Sequence, residues 1–233
     1  MPHAPGRANR LSIGMVNVTV RMLTDRWFDL ALSYAPDGAR DAIAALFALD
    51  AALGNILRTT REPLVGQMRL AWWREALQGL DESGAPAEPV LQSLAAAVLP
   101  LGITGRALSE MVDAWESLLG DVGTEWIDDH ARLRGRKLFA MAGVAIEAAA
   151  SDPIGEAGEG WALADLAANL SDPAQASRAR EHAATMLAQA REPRWSRNGR
   201  VLGALALIAD RRLRGPIPPI FVFRLARFRL TGR

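Results

Sequence analysis

The sequence predicts an all-α protein, and three observations support that fold class. Apolar residues recur at intervals of three and four through almost the whole chain, which is the spacing of one face of a helix. No stretch alternates apolar and polar residues as a half-buried strand does. Prolines and capping residues divide the pattern into segments of helical length. With 233 residues, 50% of them apolar, the chain is expected to form one helical domain over residues 1–233.

Prolines and short polar side chains mark the first three helices. Thr24 can cap a helix that should stop at Ala35, because a residue before proline avoids helical backbone angles. Asp37 can cap the second helix. Pro63 can begin the third, where its missing N–H costs nothing. The predicted core stripe of the third helix consists of Leu64, Met68, Ala71, Trp72 and Leu80.

The same signals continue through the rest of the chain. Thr104 can cap a helix, and a longer helical pattern runs from Thr124 to about Ala150. Glycines interrupt residues 155–160, which we interpret as a connection between helices. Asp172 precedes a proline and can begin the next helix.

Composition restricts the classes of function. The formal net charge is +1, which provides no general attraction to nucleic acid. The absence of cysteine excludes disulfides and thiolate metal sites. Residues 1–22 contain no secretory signal pattern and are interpreted as a flexible N-terminal arm. The best apolar runs are shorter than the roughly 20 residues that cross a bilayer. We expect a cytoplasmic protein, with the inner membrane surface as a candidate location.

Residues 216–233 form a basic amphipathic tail. From Arg191 to Arg233 there are 11 arginines and two acids, a net charge of +9. In FVFRLARFRL, phenylalanine and leucine are interleaved with arginine. A helix of this kind can lie on an anionic membrane surface with its apolar side down. The alternative is a terminal helix that docks on the bundle and keeps its arginines in water.

The stretch ALFALDAALGNILRTT, residues 45–60, has the apolar spacing of a buried helix but contains one carboxylate, Asp50. Gly54 and Asn55 follow one turn later. A glycine inside a helix costs about 1 kcal/mol relative to alanine. Either a neighbouring helix packs so closely that it requires the glycine, or these residues remain from a site that held more charge.

Three blocks of the sequence resemble the squalene/phytoene synthase family, whose members condense two prenyl diphosphates head to head. They are ALSYAPDGAR, AIAALFALDAAL and QMRLAWWREAL. The later GWALADLAANLSDP lies where the family places its second functional helix. The resemblance implies an isoprenoid synthase-like helical bundle around a deep apolar pocket. In the family, aspartates on two facing helices hold Mg²⁺, which neutralises the departing diphosphate.

The resemblance implies a degenerate first acidic motif. Gly54, Asn55 and Arg58 occupy the places of its aspartates, and Asp50 lies a full turn before them. Neutral side chains and a guanidinium are poor ligands for Mg²⁺, which rests on carboxylates and substrate phosphate. We therefore expect no metal site and no cofactor here. Mg²⁺ would be required only if the protein is an active enzyme.

The second acidic motif is expected to keep part of its charge. Asp165, Asn169 and Asp172 are spaced i, i+4 and i+7, which places them on one helical face. Alternatively, Asp165 and Asn169 form a solvated or capping pair and Asp172 caps the next helix. The basic run HARLRGRKL, residues 130–138, could reach a phosphate or form a solvated helical face. Further candidate pocket or phosphate contacts are Tyr34, Arg40, Phe47, Arg69 and Trp72.

These features imply one favoured function and two alternatives. The favoured one is a degenerate family member that binds a polyprenyl lipid or prenyl diphosphate, or a protein partner. A branch of the family that assembles mitochondrial respiratory complex I has similarly incomplete motifs. The second is an active, Mg²⁺-dependent prenyltransferase of squalene, hopanoid or carotenoid synthesis. The third is a membrane-surface adaptor that acts through the basic tail.

Overall fold

The computed structural model describes residues 26–60, 62–119 and 125–233. Within those residues the chain forms helices and turns and no β-strand, so the predicted all-α class is confirmed. The α-helices are α1 Arg26–Leu32, α2 Arg40–Thr59, α3 Pro63–Gly79, α4 Pro89–Ala97, α5 Gly105–Ser109, α6 Met111–Glu116, α7 Trp126–His130, α8 Lys137–Ala145, α9 Ile154–Asn169, α10 Pro173–Gln189, α11 Arg200–Leu213 and α12 Phe221–Thr231. The predicted arm at residues 1–22, the Thr24 cap and the Thr124 start lie outside the described residues.

Local signals set several helix starts correctly. Helix α3 begins at Pro63, and the Thr104 hydroxyl accepts a hydrogen bond from the Ala107 amide at 3.1 Å. The predicted Asp37 cap is wrong, because a turn closed by the Ala39 amide and the Pro36 carbonyl precedes α2. Helix α2 therefore begins without a side-chain cap.

The predicted core stripe of α3 is wrong except at Leu80, which is buried just after the helix ends. Leu64, Met68 and Trp72 are 67%, 66% and 47% exposed, and Ala71 is exposed as well. The buried stripe instead includes Leu70 and Leu77, which lie on the side that packs against α5 and α6. Helix α3 carries apolar residues on both faces, so its periodicity alone could not identify the buried one.

Helix α9 packs against α8, α10, α11 and the π-helical segment Ala131–Arg136. The interpretation of residues 155–160 as a connection is wrong, because they form the first turns of α9. Their glycines permit close helix contacts. A Cβ atom added to Gly158 would lie 2.3 Å from the carbonyl oxygen of Gly135.

Helix α2 lies in the core. Among the described residues it is the helix that is long and apolar enough to cross a membrane, and 61% of its most apolar window is buried inside the protein. Core helices of globular domains commonly share that length and composition. Its buried side includes the acid Asp50 together with leucine, isoleucine and phenylalanine side chains.

Candidate functional site

A buried arginine connects the two helices that carry the predicted acidic motifs. Arg134, in the π-helical segment between α7 and α8, is 1% exposed. Its Nε and Nη2 donate to the two carboxylate oxygens of Asp50 on α2, each at 2.8 Å. Its Nη1 donates to Asp165 on α9 at 2.6 Å. This Asp50–Arg134–Asp165 group, the buried triad, places a fixed cation between two facing carboxylates.

Two tryptophans enclose the guanidinium of the buried triad. The Arg134 Cζ lies 4.4 Å from the centre of the Trp115 ring and 4.8 Å from that of Trp161. A cation over an aromatic face in a desolvated site contributes about 2 kcal/mol. The rings therefore stabilise the charge of Arg134 while they keep solvent away from it.

The electrostatics of the site are locally balanced. Burial by itself lowers the pKa of Arg134, but the charges of Asp50 and Asp165 and their hydrogen bonds raise that pKa above its usual value. Burial has the largest effect on the pKa of Arg58 and lowers it. The nearby charges of Asp165 and Asp50 raise that pKa, and the charge of Arg134 lowers it. The formal charges of these four side chains cancel, so little net negative charge remains to attract a divalent cation.

Aromatic side chains fill the interior beside the buried triad. The ring of Phe47 lies 5.3 Å from Phe28, 5.3 Å from Trp161 and 6.0 Å from Phe139, measured between centroids. A cavity of about 30 Å³ adjoins Arg134, and another of about 10 Å³ lies beside Phe28 and Trp161. The larger volume suits about one or two water molecules. A prenyl chain does not fit in either cavity.

Comparison with known families gives a match for the part of the chain that contributes Asp50 and Trp115 to this site. Residues 23–131 match the family model described as squalene/phytoene synthase. The matched segment contains Asp50 and Trp115, and it ends just before Arg134. Asp165 lies outside it as well. No curated protein and no solved structure matches the chain significantly.

Gly54, in the predicted first acidic motif, has a packing explanation. A Cβ atom there would lie 2.8 Å from Cη2 of Trp115, so the glycine allows that ring to lie against α2 and over Arg134. Arg58 lines the 30 Å³ cavity. Asn55 is half-buried on the same helix and does not line that cavity. The structure thus brings together Asp50, Gly54 and Arg58 but not Asn55.

The predicted second motif is divided between two roles. Asp165 is buried in the triad, which corrects the alternative that it is solvated. Asn169 lies one turn later and its Nδ2 donates to the Asp165 carbonyl at 2.7 Å. Asp172 instead caps α10, accepting hydrogen bonds from the amides of Ala174 and Gln175. That cap is exposed and takes no part in the site.

The other candidate contacts are dispersed, and Phe47 is the one that lies near the triad, through Trp161. Tyr34 is buried near α12, with the Arg229 guanidinium 5.0 Å from its ring. Arg40 and Trp72 are exposed on α2 and α3. Arg69 is exposed and donates to the hydroxyls of Thr59 and Thr60. These positions form no common pocket with the buried triad.

Sequence reasoning missed the role of Arg134 within the basic run 130–138. Its neighbour Arg136 is 53% exposed and pairs with Glu159 at 2.6 Å, as a solvated face predicts. Arg134 points inward, which corrects that interpretation for this residue. The available signal was spacing, because His130, Arg134 and Leu138 follow at intervals of four and all are buried.

His130 also lines the 30 Å³ cavity. Its Nδ1 lies 2.9 Å from the Ala114 carbonyl, to which it donates. Burial, and then the charge of Arg134, lower the pKa of His130 to about 3, so the ring is neutral at pH 7. Its Nε2, the Trp115 Nε1 and the Asn169 Oδ1 have no hydrogen-bond partner within the described part of the chain. Water in the cavity can satisfy such atoms.

The described residues do not fit a divalent metal. They contain no group of three or more histidine, cysteine, aspartate or glutamate side chains arranged to hold one. The acids suited to Mg²⁺ are Asp50 and Asp165, and three of their four carboxylate oxygens accept hydrogen bonds from Arg134. A metal could reach these oxygens only after the guanidinium has left.

Proposed function

We propose that this squalene/phytoene synthase-like protein does not condense prenyl diphosphates and acts as a binding or assembly protein. One observation carries the proposal. The space between the two acid-bearing helices is occupied by the guanidinium of Arg134, bonded to Asp50 and Asp165. The chain therefore supplies its own cation at the place where the family resemblance implies a metal.

The charge of a side chain cannot perform the role of a mobile Mg²⁺. A catalytic metal has to contact both protein carboxylates and the diphosphate that departs. Arg134 is covalently fixed, enclosed by two rings, and directs three of its five N–H groups at carboxylates. Breaking a buried ion pair of this kind costs about 3–5 kcal/mol. An enzyme that opened this site for a metal and a substrate would have to supply that free energy in every catalytic cycle.

The packing beside the triad supports the same proposal. Head-to-head condensation requires space for two prenyl chains, and the cavities next to Arg134 and Trp161 have volumes of about 30 and 10 Å³. An apolar face on α3 that includes Leu64, Met68 and Trp72 is exposed. Exposed apolar patches often mark interaction surfaces. These features favour a role in binding or assembly, of which the complex I assembly branch of the family is one example.

The alternative is an active prenyltransferase in squalene, hopanoid or carotenoid synthesis. The match of residues 23–131 to the squalene/phytoene synthase family favours this alternative. It requires Arg134 to leave both carboxylates so that Mg²⁺ can enter. That movement makes the alternative distinguishable by experiment.

The test is release of diphosphate from farnesyl and geranylgeranyl diphosphate by the purified chain, with and without Mg²⁺. We expect no release above the protein-free rate, while a known active synthase under the same conditions provides the positive control. Mg²⁺-dependent turnover that is lost in Asp165→Asn, but kept in the cap variant Asp172→Asn, would overturn the proposal. Thermal unfolding of both variants verifies that they are folded.

A further inference from the structure

A further cavity lies far along the chain from the buried triad, between α11, α12 and the segment after α10. Its volume is about 350 Å³, within the range of small-molecule pockets. Buried rings of Trp195 and Phe228 form part of its lining. Gly203 on α11 makes room for them, because an added Cβ would lie 2.5 Å from Phe228 and 2.8 Å from Trp195. The cavity therefore has a packed apolar wall.

The exposed part of the same lining is cationic. Arg224 and Arg227 are exposed residues of α12, and Arg191 also contributes to the lining. Arg191 pairs with Asp210 at 3.0 Å, whereas neither α12 arginine forms an ion pair within the described residues. The lining contains one acid, Glu192. Positive charge thus remains available beside an apolar wall.

We propose that this cavity binds an alkyl phosphate, with the phosphate on Arg224 and Arg227 and the alkyl chain against Trp195 and Phe228. Guanidinium groups bind phosphate oxygens through paired, charge-assisted hydrogen bonds. The apolar wall adds a contact that inorganic phosphate cannot make. The ligand can be a free amphiphile or the headgroup region of an anionic membrane lipid. The inference does not depend on whether the buried triad catalyses a reaction.

The membrane source has its own support on α12. Phe223 and Leu230 are seven residues apart, lie on one helical face and are both exposed. Arg227 lies between them on that face. An interfacial helix combines apolar and cationic residues in this way. A different face of α12, which carries Phe221, Leu225 and Phe228, is buried against the rest of the protein. The predicted alternative of a docked terminal helix therefore applies to that face.

The test uses the full chain and decyl phosphate below its micellar concentration, with binding measured by titration calorimetry. The pocket variant is Arg224→Gln with Arg227→Gln. The matched control, Arg178→Gln with Arg180→Gln, removes the same charge from an exposed face of α10. We expect saturable one-to-one binding, a loss of about tenfold or more in the pocket variant, and affinity within about twofold of the native protein in the control. Decanol and inorganic phosphate should each bind more weakly.

Flotation with vesicles distinguishes the two sources of the ligand. Recovery with phosphatidylglycerol-containing vesicles but not with pure phosphatidylcholine, lost in the pocket variant, supports the lipid headgroup. Binding of decyl phosphate without flotation supports a free amphiphile. Equal losses in the pocket variant and the control would overturn the proposal, because they would reveal a nonspecific charge effect. The absence of both decyl phosphate binding and flotation would overturn it as well.

Discussion

Arg134 is the residue on which the buried triad depends. Its charge is balanced by Asp50 and Asp165 and covered by Trp115 and Trp161. Removing one member of a buried, hydrogen-bonded pair is far more costly than the net contribution of the pair, because the remaining charge stays buried. The residue therefore sets both the stability of the site and the charge that the site presents to metals.

Replacing Arg134 by alanine should make the stability of the protein depend on Mg²⁺. Arg134→Ala leaves Asp50 and Asp165 facing each other across a new cavity, and we expect a loss of about 3–5 kcal/mol in the free energy of unfolding. Because Mg²⁺ can neutralise the two carboxylates, millimolar Mg²⁺ should raise the Tm of the variant but not of the native protein.

The control for that experiment is Arg136→Ala, which breaks the exposed pair with Glu159. It should cost less than about 1 kcal/mol and gain nothing from Mg²⁺. An equal response of Arg134→Ala, Arg136→Ala and the native protein to Mg²⁺ would contradict the proposal that Arg134 takes the place of a metal between Asp50 and Asp165.

At the scale of elements, the crossing of the π-helical segment and α9 determines whether the buried triad can form. A Cβ atom on Gly135 would lie 2.1 Å from the carbonyl oxygen of Gly158, and backbone cannot move aside as a side chain can. Arg134 and Asp165 lie on the two elements that meet there. The glycines in residues 155–160, which suggest a loop when considered locally, are thus requirements of a helix contact.

Gly135→Ala should destabilise the protein although alanine favours helix by about 1 kcal/mol. Overpacking commonly costs about 1–3 kcal/mol, and the contact with backbone places this variant at the upper end or beyond. Chemical denaturation measures the change. Gly84→Ala is the matched control, because nothing lies within 4 Å of its added Cβ. Equal stability of the two variants would show that the crossing is not tight.

At the scale of the whole molecule, the buried triad joins the segment that matches the squalene/phytoene synthase family to the remainder of the chain. Asp50 and Trp115 come from residues 23–131, whereas Arg134, Trp161 and Asp165 follow it. The site therefore exists only when both parts have folded together. The free energy of global unfolding should therefore depend on the groups buried at this junction. Among them, His130 is the titratable group whose pKa is shifted most clearly.

Stability should fall as the pH is lowered below about 6.5. The pKa of His130 is about 3 in the folded protein and near 6.5 when unfolded, so the unfolded chain binds the proton more readily. Its contribution is complete above pH 6.5 and is lost toward pH 3. Between pH 6.5 and 5 the slope should approach about 1.4 kcal/mol per pH unit.

His130→Asn, which can retain the hydrogen bond to the Ala114 carbonyl, should flatten that slope when the free energy of unfolding is measured by denaturant at each pH. His182→Asn replaces a half-buried histidine on α10 and should retain it. An unchanged slope in His130→Asn would mean that other groups control stability in this range.

Local sequence signals predict the all-α class and the helix starts at Pro63 and Thr104, and they show Gly54, Asn55 and Arg58 where the family resemblance implies aspartates. These features depend on proline geometry, capping and residue identity, which act within a few positions of the chain. The tertiary structure alone decided which face of α3 is buried. It also decided that Asp50 pairs with Arg134, 84 positions away. Such pairing follows from how the helices pack. In the sequence alone, an arginine that becomes buried cannot be distinguished from one on the surface.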